Sequence, residues 1–180
     1  MREDHRYDRG NTMTLMTQQL LHVCIAVPDL NAAVQFYRDL LGFKSVFETE
    51  NGTADGALLG FDTDVVNIKA QHVMTVGASP RHATAINLVE FVEPKTKSAD
   101  SAPRAMNDTG LTRLALLVGD LDLAFERIAA NRSVEIISTT REIVIHEAES
   151  THTSRWFSFL DPFGVFITVT EAPRNDERKE

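Results

Sequence analysis

Two polar residues interrupt apolar runs at matching points of this sequence. His22 lies in LLHVCIAV (residues 20–27) and Arg113 in LTRLALLV (111–118), and the stretches His22–Leu30 and Arg113–Leu121 are both nine residues long. An imidazole can take up and return a proton near neutral pH. A guanidinium keeps its charge, has no lone pair to give a cation, and offers a planar fork of donors to a carboxylate, enolate or phenolate. The ordinary readings stand beside these. A histidine on a strand is more often a hydrogen-bonded structural residue, and Arg113 can pair with an acid such as Glu90 or extend its stem to the surface. Chemistry follows only if the two strands face a common cavity.

The elements that would position these residues can be read from the spacing. LLHVCIAV has the β-branched and aliphatic content of a strand. Pro28-Asp29 breaks it, with Asp29 as helix N-cap. Leu30, Ala33, Val34, Tyr37, Leu40 and Leu41 follow at helical spacing, and Gly42 ends the helix. SVFETE, VVNIKAQHVMTV and TAINLVEFV are strand candidates, with turns expected at Asn51-Gly52, Asp55-Gly56 and Gly77–Pro80. The unit recurs after LTRLALLV: Asp120 caps a helix whose apolar stripe is Leu121, Ala124, Phe125 and Ile128. VEIIS, REIVIHE, SRWFSFL and VFITVTE then read as strands, and Asp161-Pro162-Phe163-Gly164 as a turn. The expected organisation is a polar leader (1–19), a first βαβββ module (20–93), a linker (94–109), a second βαβββ module (110–172) and a charged tail (173–180). A strand–helix unit repeated in this way sets an α+β architecture.

Bulk properties narrow the partners. The 180 residues are 43% hydrophobic and 24% charged with a formal net charge of -8, an acidic balance that argues against nucleic acid and anionic membranes. No apolar run reaches membrane-span length, and no signal peptide is visible. The single cysteine, Cys24, allows no intrachain disulfide, so a reducing cytoplasm is expected; between Val23 and Ile25 it reads as a core filler.

HVCIAVPDLNAAVQFYRDLLGF, INLVEFVEP and FLDPFGVFITVTE together resemble the vicinal oxygen chelate superfamily, which includes glyoxalases, extradiol dioxygenases and bleomycin- and fosfomycin-resistance proteins. The likeness spans roughly residues 20–172. It implies two βαβββ modules whose strands curl into a cup, with helices outside. In metal-using members, four positions on the first and last strands of the modules point into the cup and carry His, Glu or Gln. Here those positions are His22, Asn87 (in INL), Arg113 and Thr168 (in ITV). One conventional ligand in four, with a permanent cation in the set, leads to the expectation of no metal cofactor. If a divalent metal does bind, His22 and Glu90 are its candidates; that requires a bulge, because Glu90 otherwise faces away from Asn87.

The resemblance implies a small-molecule protein. With these four residues in one cup, the expected chemistry is metal-independent isomerase or lyase action on an anionic or oxygen-rich metabolite. His22 would be the acid/base and Arg113 the oxyanion or carboxylate binder. Asn87 and Thr168 would orient substrate oxygens, and Trp156 would stack on substrate or form the pocket wall. A non-catalytic binder of the bleomycin-resistance kind is the alternative, and a metal-dependent glyoxalase or dioxygenase the third. His72, His146 and His152 are expected to face solvent, with HEAESTH as a possible flap over the mouth. The family habit of pairing through sheets implies a homodimer.

Overall fold

The computed structural model describes residues 20–76, 84–97, 110–146 and 151–171. The leader, most of the linker, the tail and the Gly77–Pro80 turn lie outside the described residues, as does most of HEAESTH. The first module contains β1 (His22–Ala26), α1 (Leu30–Asp39), β2 (Phe43–Asp55), β3 (Val65–Thr75) and β4 (Ala85–Glu93). The second contains β5 (Leu114–Val118), α2 (Leu121–Ala129), β6 (Glu135–His146), β7 (Thr151–Leu160) and β8 (Phe166–Glu171). Each module forms a four-stranded sheet, in the orders β1-β4-β3-β2 and β5-β8-β7-β6. The first strand runs parallel to the last, and the other pairs are antiparallel. The sequence repeat is therefore a repeat of topology as well.

The caps repeat too. Asp29 Oδ1 accepts from the Ala32 N–H at 2.9 Å, and Asp120 Oδ1 from the Leu123 N–H at 2.9 Å. Gly42, at φ +72°, turns the chain out of α1 as expected. Each helix also has a second cap from its own last strand. Glu90 Oε2 accepts from the Leu30 N–H at 2.9 Å, and Glu171 Oε2 from the Leu121 N–H at 3.2 Å. A carboxylate there satisfies an otherwise unpartnered donor and meets the positive end of the helix dipole. Glu90→Ala is expected to lower stability by about 1 kcal/mol, read as a shift in the urea unfolding midpoint.

Two sequence expectations change. Asn51-Gly52 is not a turn between strands: β2 runs through it, and the pairing with β3 shifts register between Asn51 and Ala54. VEIIS and REIVIHE are one strand, β6, with register irregularities between Ile136 and Arg141. In both cases the extra residues are absorbed as bulges, because both flanks remain paired to one partner strand.

Side-chain alternation divides each sheet into two faces. On β1, Ile25 is buried against the helix while His22 and Cys24 are exposed on the other face. Cys24 is thus not core, because Val23 and Ile25 take the inward positions. The core joins both modules: Val27, Tyr37, Val73 and Leu88 belong to one cluster with Leu121, Phe157, Phe159 and Val169. Phe36, which the helical stripe omitted, is buried because α1 also meets the second module, where its ring lies edge-on to Phe163 at 6.3 Å. The Tyr37 hydroxyl donates to Asp161 Oδ2 at 2.9 Å in the same buried contact. Asp161 Oδ1 in turn accepts from the N–H groups of Phe163 (2.9 Å) and Val165 (2.8 Å), so the expected DPFG turn is also the anchor between modules.

Candidate functional site

Strand register assembles the site row by row. On the first sheet, Cys24 of β1 pairs with Asn87 of β4, Asn87 with His72 of β3, and His72 with Phe47 of β2. These side chains share the face turned away from α1, and His22 lies beside them. His22 Nδ1 is 3.4 Å from His72 Nε2, with the rings nearly perpendicular and 5.0 Å apart. The Phe47 ring lies 5.7 Å from the other side of His72. Asn87 Nδ2 donates to Cys24 Sγ at 3.6 Å. Two atoms able to hydrogen-bond, His72 Nδ1 and Asn87 Oδ1, are buried here with no partner among the described residues. Such atoms are uncommon inside a folded protein, and they mark where a bound molecule would supply hydrogen bonds.

His72 was expected to face solvent; instead it is partly buried in this row, because its register with Asn87 fixes its side. Burial, reinforced by His22 alongside, holds its pKa below the ordinary imidazole value. A His with a lowered folded pKa favours the native state above the unfolded value of about 6.5. That contribution is lost as pH falls through 6.5 toward the folded pKa. His72→Gln should therefore flatten the fall in stability between pH 7.5 and pH 5, measured by urea unfolding at each pH.

On the second sheet, Thr168 of β8 pairs with Ala115 of β5 and with Ser158 of β7. Arg113, immediately before β5, lies over the Trp156 ring with its guanidinium carbon 5.6 Å from the ring centre, a cation–π contact. A cavity of about 260 Å³ is lined by Arg113, Trp156, Thr168, Ser138, Arg141 and Ser158, among others. Thr168 is buried and its hydroxyl donates to the Leu114 carbonyl at 3.4 Å. Three of the expected site residues, Arg113, Thr168 and Trp156, thus share one cavity. His22 and Asn87 share the face of the other sheet. The two groups adjoin where the modules meet: Cys24 and Arg113 both line a second cavity of about 220 Å³, with Ile25, Thr112, Leu114 and Phe166. His152, expected to face solvent, is partly buried and lies on the Trp156 side of β7, four residues away.

The alternative metal pair of His22 with Glu90 is not what the fold builds, since the Glu90 carboxylate is on the helix face, engaged with α1. The donors at the four strand positions do not fit a metal ion either. They are one imidazole, one carboxamide, one hydroxyl and a guanidinium, which repels a cation. Among the described residues, no cluster of three or more His, Cys, Asp or Glu is placed to hold a metal.

Sequence reasoning missed His72 and Arg141. Alternation counted back from Asn87 identifies His72 only once the β3–β4 register is known, and Arg141 depends on the β6 bulge.

Comparison with known proteins agrees with this fold. A model of the Glyoxalase/Bleomycin resistance protein/Dioxygenase superfamily matches residues 19–169. A 2-epi-5-epi-valiolone epimerase from Actinomyces sp is 25% identical over 153 residues, covering 84% of this chain and 78% of that protein. Among solved structures, a glyoxalase family protein from Bacillus cereus superposes with a TM-score of 0.67 at 20% identity, over 89% of this chain and 98% of its own. A fosfomycin resistance protein from Listeria monocytogenes, solved with Mn(II) and sulfate, gives 0.53 at 16% identity, over 91% and 100%. These two share the fold. Among the described residues, no helix is long and apolar enough to cross a membrane.

Proposed function

The chain belongs to the Glyoxalase/Bleomycin resistance protein/Dioxygenase superfamily, and from that premise we propose that it is an isomerase that moves a proton beside a carbonyl in an oxygen-rich, anionic small molecule. The observation that carries this reading is Arg113: a guanidinium occupies the position that matches His22, immediately before β5, on the wall of a cavity beside Trp156 and Thr168. Removing a proton next to a carbonyl leaves negative charge on oxygen, and a fixed guanidinium stabilises that charge as it forms.

His22 is the acid/base. Its Nδ1 faces His72, so Nε2 is the nitrogen left for substrate. When Nε2 takes the proton, the Nδ1–H of the imidazolium is held by the neutral His72 ring, whose lowered pKa keeps it an acceptor. Return of that proton to a neighbouring atom on the same face isomerises the substrate; inversion of the carbon takes its new proton from water on the opposite face while His22 gives its own to solvent. Asn87 and Thr168 orient substrate oxygens, and Trp156 forms the wall against the carbon skeleton. No step needs a metal, and chelation should leave the rate unchanged.

The epimerase relative supports the isomerase class, and 2-epi-5-epi-valiolone, itself an uncharged ketone, and its phosphate ester are the first compounds to assay. Deuterium uptake from D₂O into substrate, followed by NMR, tests the assignment. His22→Gln should slow exchange by about 10²- to 10⁴-fold, and His72→Gln should slow it less. Full exchange in His22→Gln would refute the acid/base role, and no exchange in the parent would leave a binding protein. Pairing as a homodimer is part of the same proposal, since β2 and β6 are edge strands of their sheets among the described residues. Light scattering on the purified protein measures it.

A further inference from the structure

We propose that the cavity on the second sheet is an oxyanion subsite in which Arg141 adds a second guanidinium to Arg113, and the Trp156 indole N–H adds a neutral donor, so that the substrate carries a carboxylate or phosphate docked there. This deepens the proposed isomerase reading and rests on it for the word substrate; the anion site itself stands on separate observations.

The first observation is how Arg141 reaches the cavity. Ser138 of β6 pairs with Ser158 of β7, and regular alternation would next set Thr140 against Trp156. The register shift sets Arg141 there instead. One extra residue in β6 thus turns a guanidinium onto the face that a threonine would otherwise occupy. Bulges commonly re-aim side chains in this way beside functional sites.

The second observation is charge. The chain carries a formal net charge of -8, yet Arg113 and Arg141 are both among the described residues lining this cavity. The second guanidinium adds a planar fork of donors suited to a carboxylate or phosphate.

The third is an orphaned donor. Trp156 Nε1 is buried with no hydrogen-bond partner among the described residues. An indole N–H can only donate, so the group that completes it must be an acceptor. The Ser138 and Ser158 hydroxyls lie 3.0 Å apart in the same lining. One proton is used between them, and the second is left to donate. Two guanidiniums, an indole N–H and a hydroxyl together describe a receptor for the oxygens of a carboxylate or phosphate group.

The protein carries its own reporter, because Trp156 is its only tryptophan. Its fluorescence should be titrated in the full chain with inorganic phosphate and, separately, with acetate, at constant ionic strength held with chloride. A saturable change with either anion is expected, and the tighter of the two names the group. Arg141→Gln should weaken that binding at least tenfold while the circular dichroism spectrum and melting temperature stay those of the parent. No saturable change with either anion, or equal affinity in Arg141→Gln, would overturn the subsite. Calorimetry on Trp156→Phe checks the indole: its affinity should fall, and unchanged affinity would remove the N–H from the site. Anion binding without deuterium exchange would keep the subsite and discard the isomerase. Exchange with no anion binding would do the reverse.

Discussion

Arg113→Ala is expected to slow turnover by about 10²- to 10³-fold, the usual loss when one donor to a developing oxyanion is removed. Residue 113 stands where residue 22 stands in the other module, just ahead of or at the start of a first strand that pairs in parallel with a last strand. Its guanidinium is held over the Trp156 ring, so little conformational freedom is lost when a substrate oxygen arrives. Arg113→Lys keeps the charge but loses the planar fork and much of the stacking. Its rate should fall between those of the parent and the alanine variant. Kinetics at saturating and limiting substrate separate the effects: a loss in kcat marks charge stabilisation that grows toward the transition state, and a rise in KM alone marks simple substrate binding. A parental kcat/KM in Arg113→Ala would remove the residue from the chemistry altogether.

The second large effect concerns stability. Tyr37→Phe should cost about 2 kcal/mol, because it leaves a buried Asp161 oxygen without its donor. Asp161→Ala should cost about 3 kcal/mol or more, since the Tyr37 hydroxyl and the Phe163 and Val165 N–H groups all lose their acceptor. Burial pushes the Asp161 pKa up, which means the fold disfavours the charge it holds there. Asp161→Asn removes that penalty and keeps one acceptor oxygen, so it should be milder than alanine. Chemical denaturation of the three variants tests the order. Because this contact joins α1 of the first module to the turn before β8, its loss should also lower the cooperativity of unfolding, seen as a smaller dependence on denaturant concentration.

These two sites also show what the sequence could and could not reveal. The repeat, the Asp29 and Asp120 caps and the inward stripe of α1 were legible because each rests on local spacing. Cys24 was misread because the identity of its apolar neighbours was weighed before the face it occupies. The β1 alternation sends Val23 and Ile25 inward and leaves the thiol on the same side as His22. His72 was missed for a related reason: its face depends on register with a strand fifteen residues away, across a turn of unread geometry. Asp161 looked like a turn residue and is one, but its buried bond to Tyr37 spans 124 positions, a distance at which no local pattern helps. Arg141 depends on a single-residue bulge. The family positions named His22, Asn87, Arg113 and Thr168; the partners that give them chemical context came from pairing.

The central claim is that a guanidinium does the work that a bound cation does in metal-using relatives. It is tested most directly by following deuterium exchange into substrate after exhaustive chelation, and again after adding back one equivalent of Mn²⁺, Ni²⁺ or Zn²⁺. Expected is a rate unchanged by chelation and by each metal, with the Arg113→Ala defect equally deep in every condition. Exchange that vanishes on chelation and returns with one stoichiometric metal would contradict it.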